Sequence, residues 1–228
     1  MKKTLAILIV LCLAVSMTFA FDFRELDYET YVGFSMSQYS AEGFKDTVLW
    51  GEDISLKDAN GSKMAFGVKL GGRAALIEHA YAIVDADVNF SSLQTYVIDA
   101  GIGGAYYFID NTFHLGVGAK VGFFSLVNLI GTMNYDYHGK DKSGEYFYGD
   151  KGDAVTYEVM GISLRPFVDF SYDLNDIFSV GASVGYRIGF SFKDAVYVAK
   201  HDIGTFGDQE PKVSPNGLTA SIYGVYKF

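Results

Sequence analysis

Residues 178–192 read Phe-Ser-Val-Gly-Ala-Ser-Val-Gly-Tyr-Arg-Ile-Gly-Phe-Ser-Phe, and this stretch decides the fold class. Every even-numbered position carries an apolar or aromatic side chain, and every odd-numbered position carries glycine, serine or Arg187. A period of two places the two sets on opposite faces of a β-strand, whereas an amphipathic helix repeats every 3.6 residues. The stretch therefore predicts a strand with one apolar face.

The same alternation recurs along the rest of the chain, which has 228 residues. Together with the first stretch it predicts eight strands, at 28–39, 64–76, 82–91, 98–108, 113–123, 160–170, 178–192 and 217–228. The composition agrees, because 19 Phe, 17 Tyr and 26 Gly against 3 Pro suit pleated strands better than helices. The sequence is therefore typical of an all-β protein.

The polar face of these strands is rich in glycine, and this observation separates two architectures. A soluble sandwich or lipocalin-like barrel would wet its polar face and carry Lys, Glu and Thr there, whereas a transmembrane barrel turns its apolar face to lipid. Eight strands leave an interior just wide enough for side chains, so that glycine on some strands makes room for Arg and Lys from others. We therefore predict an eight-stranded antiparallel up-and-down transmembrane β-barrel.

The connections between the predicted strands differ in length in a regular way. Three are long, at 40–63, 125–157 and 193–216, and all three fall at one end of the barrel. The connections at the other end, at 77–79, 109–112 and 173–177, are tight, as in outer-membrane barrels with short periplasmic turns and long outer loops. Aromatic side chains at both ends of the apolar faces predict the two interfacial girdles of such barrels.

The N-terminus predicts a targeting segment. Lys2 and Lys3 precede a short apolar run, and small residues stand at Thr18 and Ala20. We expect a cleaved secretory signal peptide at 1–20 and an outer-membrane β-barrel domain at 21–228. The single cysteine, Cys12, lies in the expected signal, so that the mature barrel would contain no disulfide and no cysteine site.

The last strand carries a family resemblance. Residues 217–228 alternate up to a terminal aromatic, with Ala220, Ile222, Tyr226 and Phe228 on one face. This resembles the C-terminal signal that the barrel-assembly machinery reads in bacterial outer-membrane proteins. The whole chain resembles the small eight-stranded outer-membrane barrels, such as the OmpA transmembrane domain, OmpX, OmpW and the opacity proteins. The resemblance implies a monomer in the bacterial outer membrane, with membrane lipid and the assembly machinery as partners.

The inward face carries five acidic and six basic residues, which predict a nearly neutral network of ion pairs. These are Glu29, Lys69, Arg73, Asp85, Asp87, Asp99, Lys120, Arg165, Asp169, Arg187 and Lys227. Glu29 and Lys227 are expected to lie close together, because the first and last strands meet when the barrel closes. We interpret the network as a structural plug, and the alternative is an ion pathway or gate. Pro166, on the lipid-facing side, predicts a bulge, or alternatively a small lateral opening.

No catalytic, cofactor or metal motif accompanies these strands. His79 is expected in a periplasmic turn and His114 in the lumen, while His138 and His201 stand in no recognisable nucleophile motif and are interpreted as solvated loop histidines. The long loops combine acidic residues with Tyr135, Tyr137, Tyr146, Tyr148 and Tyr157. These loops suggest an extracellular ligand, or a divalent-cation bridge to lipid headgroups, or only a solvated surface. The net charge of -9 argues against nucleic acid as a partner.

We therefore expect a non-enzymatic outer-membrane protein whose surface loops serve envelope integrity, recognition or adhesion. The alternative is a narrow porin-like channel for small solutes, and an envelope-lipid enzyme comes third.

Overall fold

The computed structural model describes residues 27–42, 54–56, 61–92, 95–110, 112–198, 201–204 and 212–228. The expected signal peptide lies outside these residues. The strands are β1 (Tyr28–Glu42), β2 (Ile54–Leu56), β3 (Gly61–Ile77), β4 (Ala80–Ser92), β5 (Thr95–Asp110), β6 (Phe113–Met133), β7 (Tyr137–Lys140), β8 (Tyr146–Gly149), β9 (Ala154–Asp173), β10 (Phe178–Val198), β11 (His201–Gly204), β12 (Lys212–Ser214) and β13 (Gly217–Lys227). Among the described residues, no helix is long and apolar enough to cross a membrane.

Eight of these strands form a closed antiparallel ring in the order β1, β3, β4, β5, β6, β9, β10 and β13. The last strand returns to the first, because β13 pairs with both β10 and β1. The prediction of an eight-stranded up-and-down barrel is confirmed. Closure also leaves the ring without an unpaired edge, which is what the interior of a bilayer requires.

The outer wall of the ring is an apolar belt. Phe34 is 81% exposed and Ile222 is 69% exposed, while inward Arg187 is fully buried. Such a wall is unfavourable in water and favourable in hydrocarbon, so that it faces lipid. Aromatic side chains meet across strands at both rims of the belt, as in the pairs Phe113–Phe170 and Phe123–Phe192. One rim carries the tight turns, the start of β1 and the end of β13, and we call it the turn end. We call the other rim the loop end.

At the loop end several strands continue beyond the belt. β6 runs to Met133, β9 begins at Ala154 and β10 runs to Val198, so that much of the predicted loop 125–157 is strand. β2, β11 and β12 pair with these projecting strands or with β1, and β7 and β8 form a separate hairpin. We call this projecting part, with residues 126–159, 194–198, 201–204 and 212–214 as its main pieces, the loop-end extension.

The two faces of β9 exchange polarity at the boundary of the loop-end extension. Within the belt, inward Arg165 and Asp169 are buried and outward Ile162 and Phe170 are exposed. In the extension, the inward positions become apolar. They are Val155, Tyr157 and Val159, and all three are buried. The segment was predicted as part of the loop 125–157, and the alternation does not reveal it as a strand because its apolar residues occupy the face that is polar further along β9.

The bulge expected at Pro166 is not present. Gly185 pairs with Phe167 and Ile188 pairs with Leu164, so that the β9–β10 register is the same on both sides of the proline. A missing N–H removes a ladder hydrogen bond without inserting a residue, and the strand stays in register. The irregularity of β10 lies instead between Ser191 and Lys193, at the loop-end rim.

Candidate functional site

The centre of the lumen is organised around the carboxylate of Asp85 on β4. Its side chain is buried and contacts three cations from three other strands. Lys69 Nζ lies 3.2 Å from Oδ2, Arg165 Nη2 lies 2.7 Å from Oδ1, and Lys120 forms a shorter contact with Oδ2. Three cations around one buried carboxylate satisfy its lone pairs and offset the cost of removing it from water.

Arg165 extends this cluster toward the loop end. It also pairs with Asp87, and its Nη1 lies 3.7 Å from Asp99 Oδ2. Arg187 Nη1 lies 3.7 Å from the same oxygen. The guanidinium of Arg187 further donates to the carbonyl of Pro215 at 2.7 Å and to the hydroxyl of Ser37 at 2.7 Å. We call these seven linked groups the upper network: Lys69, Asp85, Asp87, Asp99, Lys120, Arg165 and Arg187.

A second cluster lies closer to the turn end, and we call it the lower network. Arg73 pairs with Glu29, and its Nη1 lies 3.2 Å from Asp169 Oδ2. Asp169 also accepts hydrogen bonds from the hydroxyls of Tyr107, at 2.6 Å, and Tyr223. The carboxylate therefore has partners on both oxygens, although only one of those partners is a cation.

The ion pair expected between Glu29 and Lys227 is not formed. The two residues are register partners on β1 and β13, as barrel closure requires. Lys227 Nζ instead lies 2.6 Å from Asp173 Oδ1, and Glu29 pairs with Arg73. The tight turn after β9 places Asp173 nearer to Lys227. Asp173 was predicted to lie in a turn and was not counted among the lumen charges. With Asp173 included, the lumen contains six acidic and six basic side chains.

Tyrosines, rather than only Arg and Lys, use the space that lumen glycines leave. The rings of Tyr31, Tyr107 and Tyr223 lie over the glycines that they face in the ladder, which are Gly71, Gly116 and Gly181. A Cβ on these glycines would lie 2.4–2.5 Å from the covering ring, so that a larger residue would displace the ring. The three tyrosines occupy odd-numbered positions, and strict parity along each strand would have found them.

A hydrophobic cluster closes the lumen above the upper network. It includes Phe124, Leu126, Ile130, Val155 and Val198, all of them essentially inaccessible to solvent. Two cavities in the charged part of the lumen measure about 10 Å³ each, which is room for about one water molecule. The described residues thus fill the lumen with two successive layers, one charged and one apolar.

Comparisons with known proteins add a structural likeness. No family model matches the chain, and no curated protein matches it. Among solved structures, the outer membrane protein OprG from Pseudomonas aeruginosa matches with a TM-score of 0.52 at 14% identity, over 89% of this chain and 96% of that one. The chain has the fold of a small outer-membrane β-barrel.

Two further matches to this barrel, with lower TM-scores, are a surface protein and an attachment protein. Neisserial surface protein A is 15% identical, over 87% of this chain and 97% of that one, with a TM-score of 0.46. Ail, the attachment invasion locus protein of Yersinia pestis, is 11% identical, over 90% of the barrel chain and 99% of its own, with a TM-score of 0.45.

Two histidines of the barrel, His114 and His201, have structural partners. His114 Nε2 lies 3.1 Å from Asp173 Oδ2 at the turn end. His201, expected to be solvated, stacks on Phe147 with ring centroids 4.8 Å apart, and its Nδ1 lies 3.5 Å from Asp141 Oδ2. Ser143 donates to the other oxygen of Asp141 at 2.5 Å, so that the serine and the histidine share an acid without forming a nucleophile–base pair. No group of metal-ligating side chains occurs in the part of the chain that is described.

The β7–β8 hairpin presents two faces to its surroundings. Its inner face places Phe147 and Tyr137 against the hydrophobic cluster. Its outer face exposes Tyr146, with Lys140 Nζ 4.6 Å from the ring centroid, and Tyr148, whose ring meets His138 edge-on. Of the five loop tyrosines, only these two and Tyr135 are strongly exposed, whereas Tyr157 is buried and donates to Asp194 at 2.7 Å.

Of the four residues with the C-terminal assembly resemblance, Ala220, Ile222 and Tyr226 share the outer face of β13, and Phe228 directly follows the strand. Ile222, Tyr226 and Phe228 are exposed, and Ala220 is half-buried beside them. Tyr226 meets Phe178 and Phe228 edge-on, and Phe228 stacks on Tyr28. These aromatics form the girdle of the turn end at the position where β13 meets β1.

Proposed function

We propose that the chain is a non-enzymatic, integral protein of a bacterial outer membrane, whose loop-end extension acts at the cell surface in recognition or adhesion. The observation that supports this proposal is the closed lumen. The charged layer and the hydrophobic cluster above it leave room for single waters, so that the described residues form no wide path for a solute. What remains available for function is the surface beyond the membrane.

The loop-end extension suits such a role because it is built as a small folded unit. Its strands continue the barrel ladder, and the β7–β8 hairpin packs onto its apolar interior. Exposed Tyr146 and Tyr148 are large, have few rotatable bonds and combine apolar with polar contact area, which is why tyrosine is frequent in recognition surfaces. We propose outer-membrane lipid as the partner of the belt, and the barrel-assembly machinery as the partner of β13 in a monomeric barrel.

The test has an electrical arm and a cellular arm. Planar-bilayer recordings of the refolded protein should show no steady conductance. In a strain that lacks the protein, adherence and detergent resistance should be restored by the wild type, while the Tyr146→Ser/Tyr148→Ser double variant should restore only detergent resistance. Full restoration of adherence by the double variant would refute a recognition role for the hairpin.

The second candidate is a narrow channel, and the charges of the upper network favour it. Ions could pass if Arg165 and Arg187 moved away from Asp99, whose Oδ2 lies 3.7 Å from each guanidinium. Steady bilayer openings whose ion selectivity changes in an Asp99→Asn variant would establish the channel and replace the closed-lumen proposal.

A further inference from the structure

Two buried polar atoms without a hydrogen-bond partner belong to residues that line the same cavity. Nε of Arg165 and Oγ of Ser221 have no partner, and both residues are more than nine-tenths buried. Both line the cavity of about 10 Å³ that lies beside the upper network. An unpartnered buried polar atom is costly, so that two atoms able to donate beside one cavity favour a ligand that accepts hydrogen bonds there.

The lining of this cavity is rich in hydrogen-bond donors. It contains three cations and three hydroxyls, which are Lys69, Lys120, Arg165, Ser183, Thr219 and Ser221. Asp87 is the one carboxylate among the lining residues, and it already pairs with Arg165. Lys and Arg side chains only donate hydrogen bonds and hydroxyls can donate them as well, so that all six groups can donate to a small anion.

The charge balance of the upper network points in the same direction. It joins four cations to three carboxylates, an excess of one positive charge. The lower network joins Arg73 to Glu29 and Asp169, an excess of one negative charge. The lumen is neutral as a whole, but the positive excess lies beside the cavity. In an interior of low dielectric, a local uncompensated charge favours a bound counter-ion.

We propose that this cavity is a binding site for one small monovalent anion, for which chloride and bromide serve as probes. The guanidinium of Arg165 and the hydroxyl of Ser221 donate to it, and Lys69 and Lys120 supply the neutralising charge. The anion enters while the barrel folds, because the filled lumen leaves it no wide path afterwards. This site is independent of the role proposed for the loop-end extension.

The direct test uses bromide as the probe. Crystals of the full barrel refolded in sodium bromide should show an anomalous scattering peak in this cavity, within hydrogen-bond distance of Arg165 and Ser221. Electron density of a water molecule without an anomalous signal would overturn the proposal.

Thermal unfolding of protein refolded in chloride provides a second readout. When chloride replaces gluconate at constant ionic strength, the unfolding midpoint should rise and saturate, because gluconate is too large for the cavity. Ser221→Ala should raise the half-saturating chloride concentration about tenfold, the effect of one lost hydrogen bond to an ion. Ser179→Ala is the matched control, since this buried serine binds Asp173 at the turn end. An equal chloride response in all three proteins would mean a general salt effect and would also overturn the proposal.

Discussion

The membrane belt and the loop-end extension are built from the same strands with opposite rules. In the belt, β9 turns apolar side chains outward and buries Arg165 among carboxylates, while a few residues earlier Val155 and Val159 point inward. The surrounding solvent explains the exchange, because hydrocarbon accepts the apolar face in one region and water accepts the polar face in the other. The alternation of a strand therefore does not by itself determine which face is buried. The medium around each part of the strand determines it.

The largest effect is expected from breaking the charged interior of the belt. Arg165→Met leaves Asp87 without its cation and Asp85 with two of three, and should cost about 3–5 kcal/mol of unfolding free energy. Urea unfolding in lipid vesicles, followed by tryptophan fluorescence or by the gel shift of heated samples, measures the cost. Lys151→Met, at an exposed turn of the loop-end extension, is the control and should stay within about 0.5 kcal/mol. A small effect of Arg165→Met would show that the network adds little to stability.

The apolar interior of the loop-end region should respond almost as strongly. Phe124→Ala removes a fully buried ring of the hydrophobic cluster, at a cost of about 3 kcal/mol. The damage should be local, with faster trypsin cleavage at Lys140 and Lys142 while the heat-modifiable mobility of the barrel persists. Tyr148→Ala on the exposed face of the hairpin should leave the cleavage rate unchanged. Loss of the whole barrel in Phe124→Ala would mean that the two regions unfold as one unit.

The exchange of faces itself can be tested with one charge placed at two levels. Val184 faces lipid within the belt, and Thr156 occupies an outward position in the extension. Val184→Arg should cost about 2–4 kcal/mol, and Thr156→Arg should change stability by no more than about 0.5 kcal/mol. Vesicle unfolding of both variants gives the comparison. Equal costs would contradict the assignment of the boundary on β9.

The smallest expected effect is a pH dependence confined to the turn between β7 and β8. A hydrogen bond from the Ser143 hydroxyl, supported by the backbone N–H of Glu145, lowers the pKa of Asp141. A lowered pKa stabilises the turn above the ordinary aspartate value of about 3.9, and the stabilisation is lost as the pH falls through the lowered value. Amide NMR shifts of Gly144 and Glu145 should follow this titration. Asp141→Asn should remove it, and an unchanged titration in that variant would assign it to another group.

The sequence was sufficient to predict which side chains of the belt face inward, because each inward position there differs in polarity from its outward neighbours. Arg187 between Tyr186 and Ile188 is an example, and parity placed its side chain in the lumen. The same rule failed in the extension, where Val196 and Val198 follow a bulge between Ser191 and Lys193 that shifts the parity of β10. Parity cannot reveal a bulge or a change of solvent along a strand.

The ion-pair partners of the charged side chains in the lumen could not be predicted from the sequence either. The register of Glu29 and Lys227 followed from closure of the ring, but the side chain of Glu29 pairs with Arg73 and that of Lys227 pairs with Asp173. Long flexible side chains reach several positions, and small differences in distance and desolvation decide among these. The inward tyrosines, such as Tyr107, could have been predicted by assigning every odd-numbered position of these strands to the lumen.

The seam between β1 and β13 has a kinetic consequence. The other ladders of the ring join ring strands that are consecutive along the chain. This one joins the first ring strand to the last, and pairs Glu29 with Lys227. Closing so large a loop is entropically costly, and it becomes favourable only when the other strands are already arranged. Until then two strand edges stay open within the bilayer. A factor that holds the edge of β13 during insertion would therefore act on this closure and shield the chain from pairing with a neighbour.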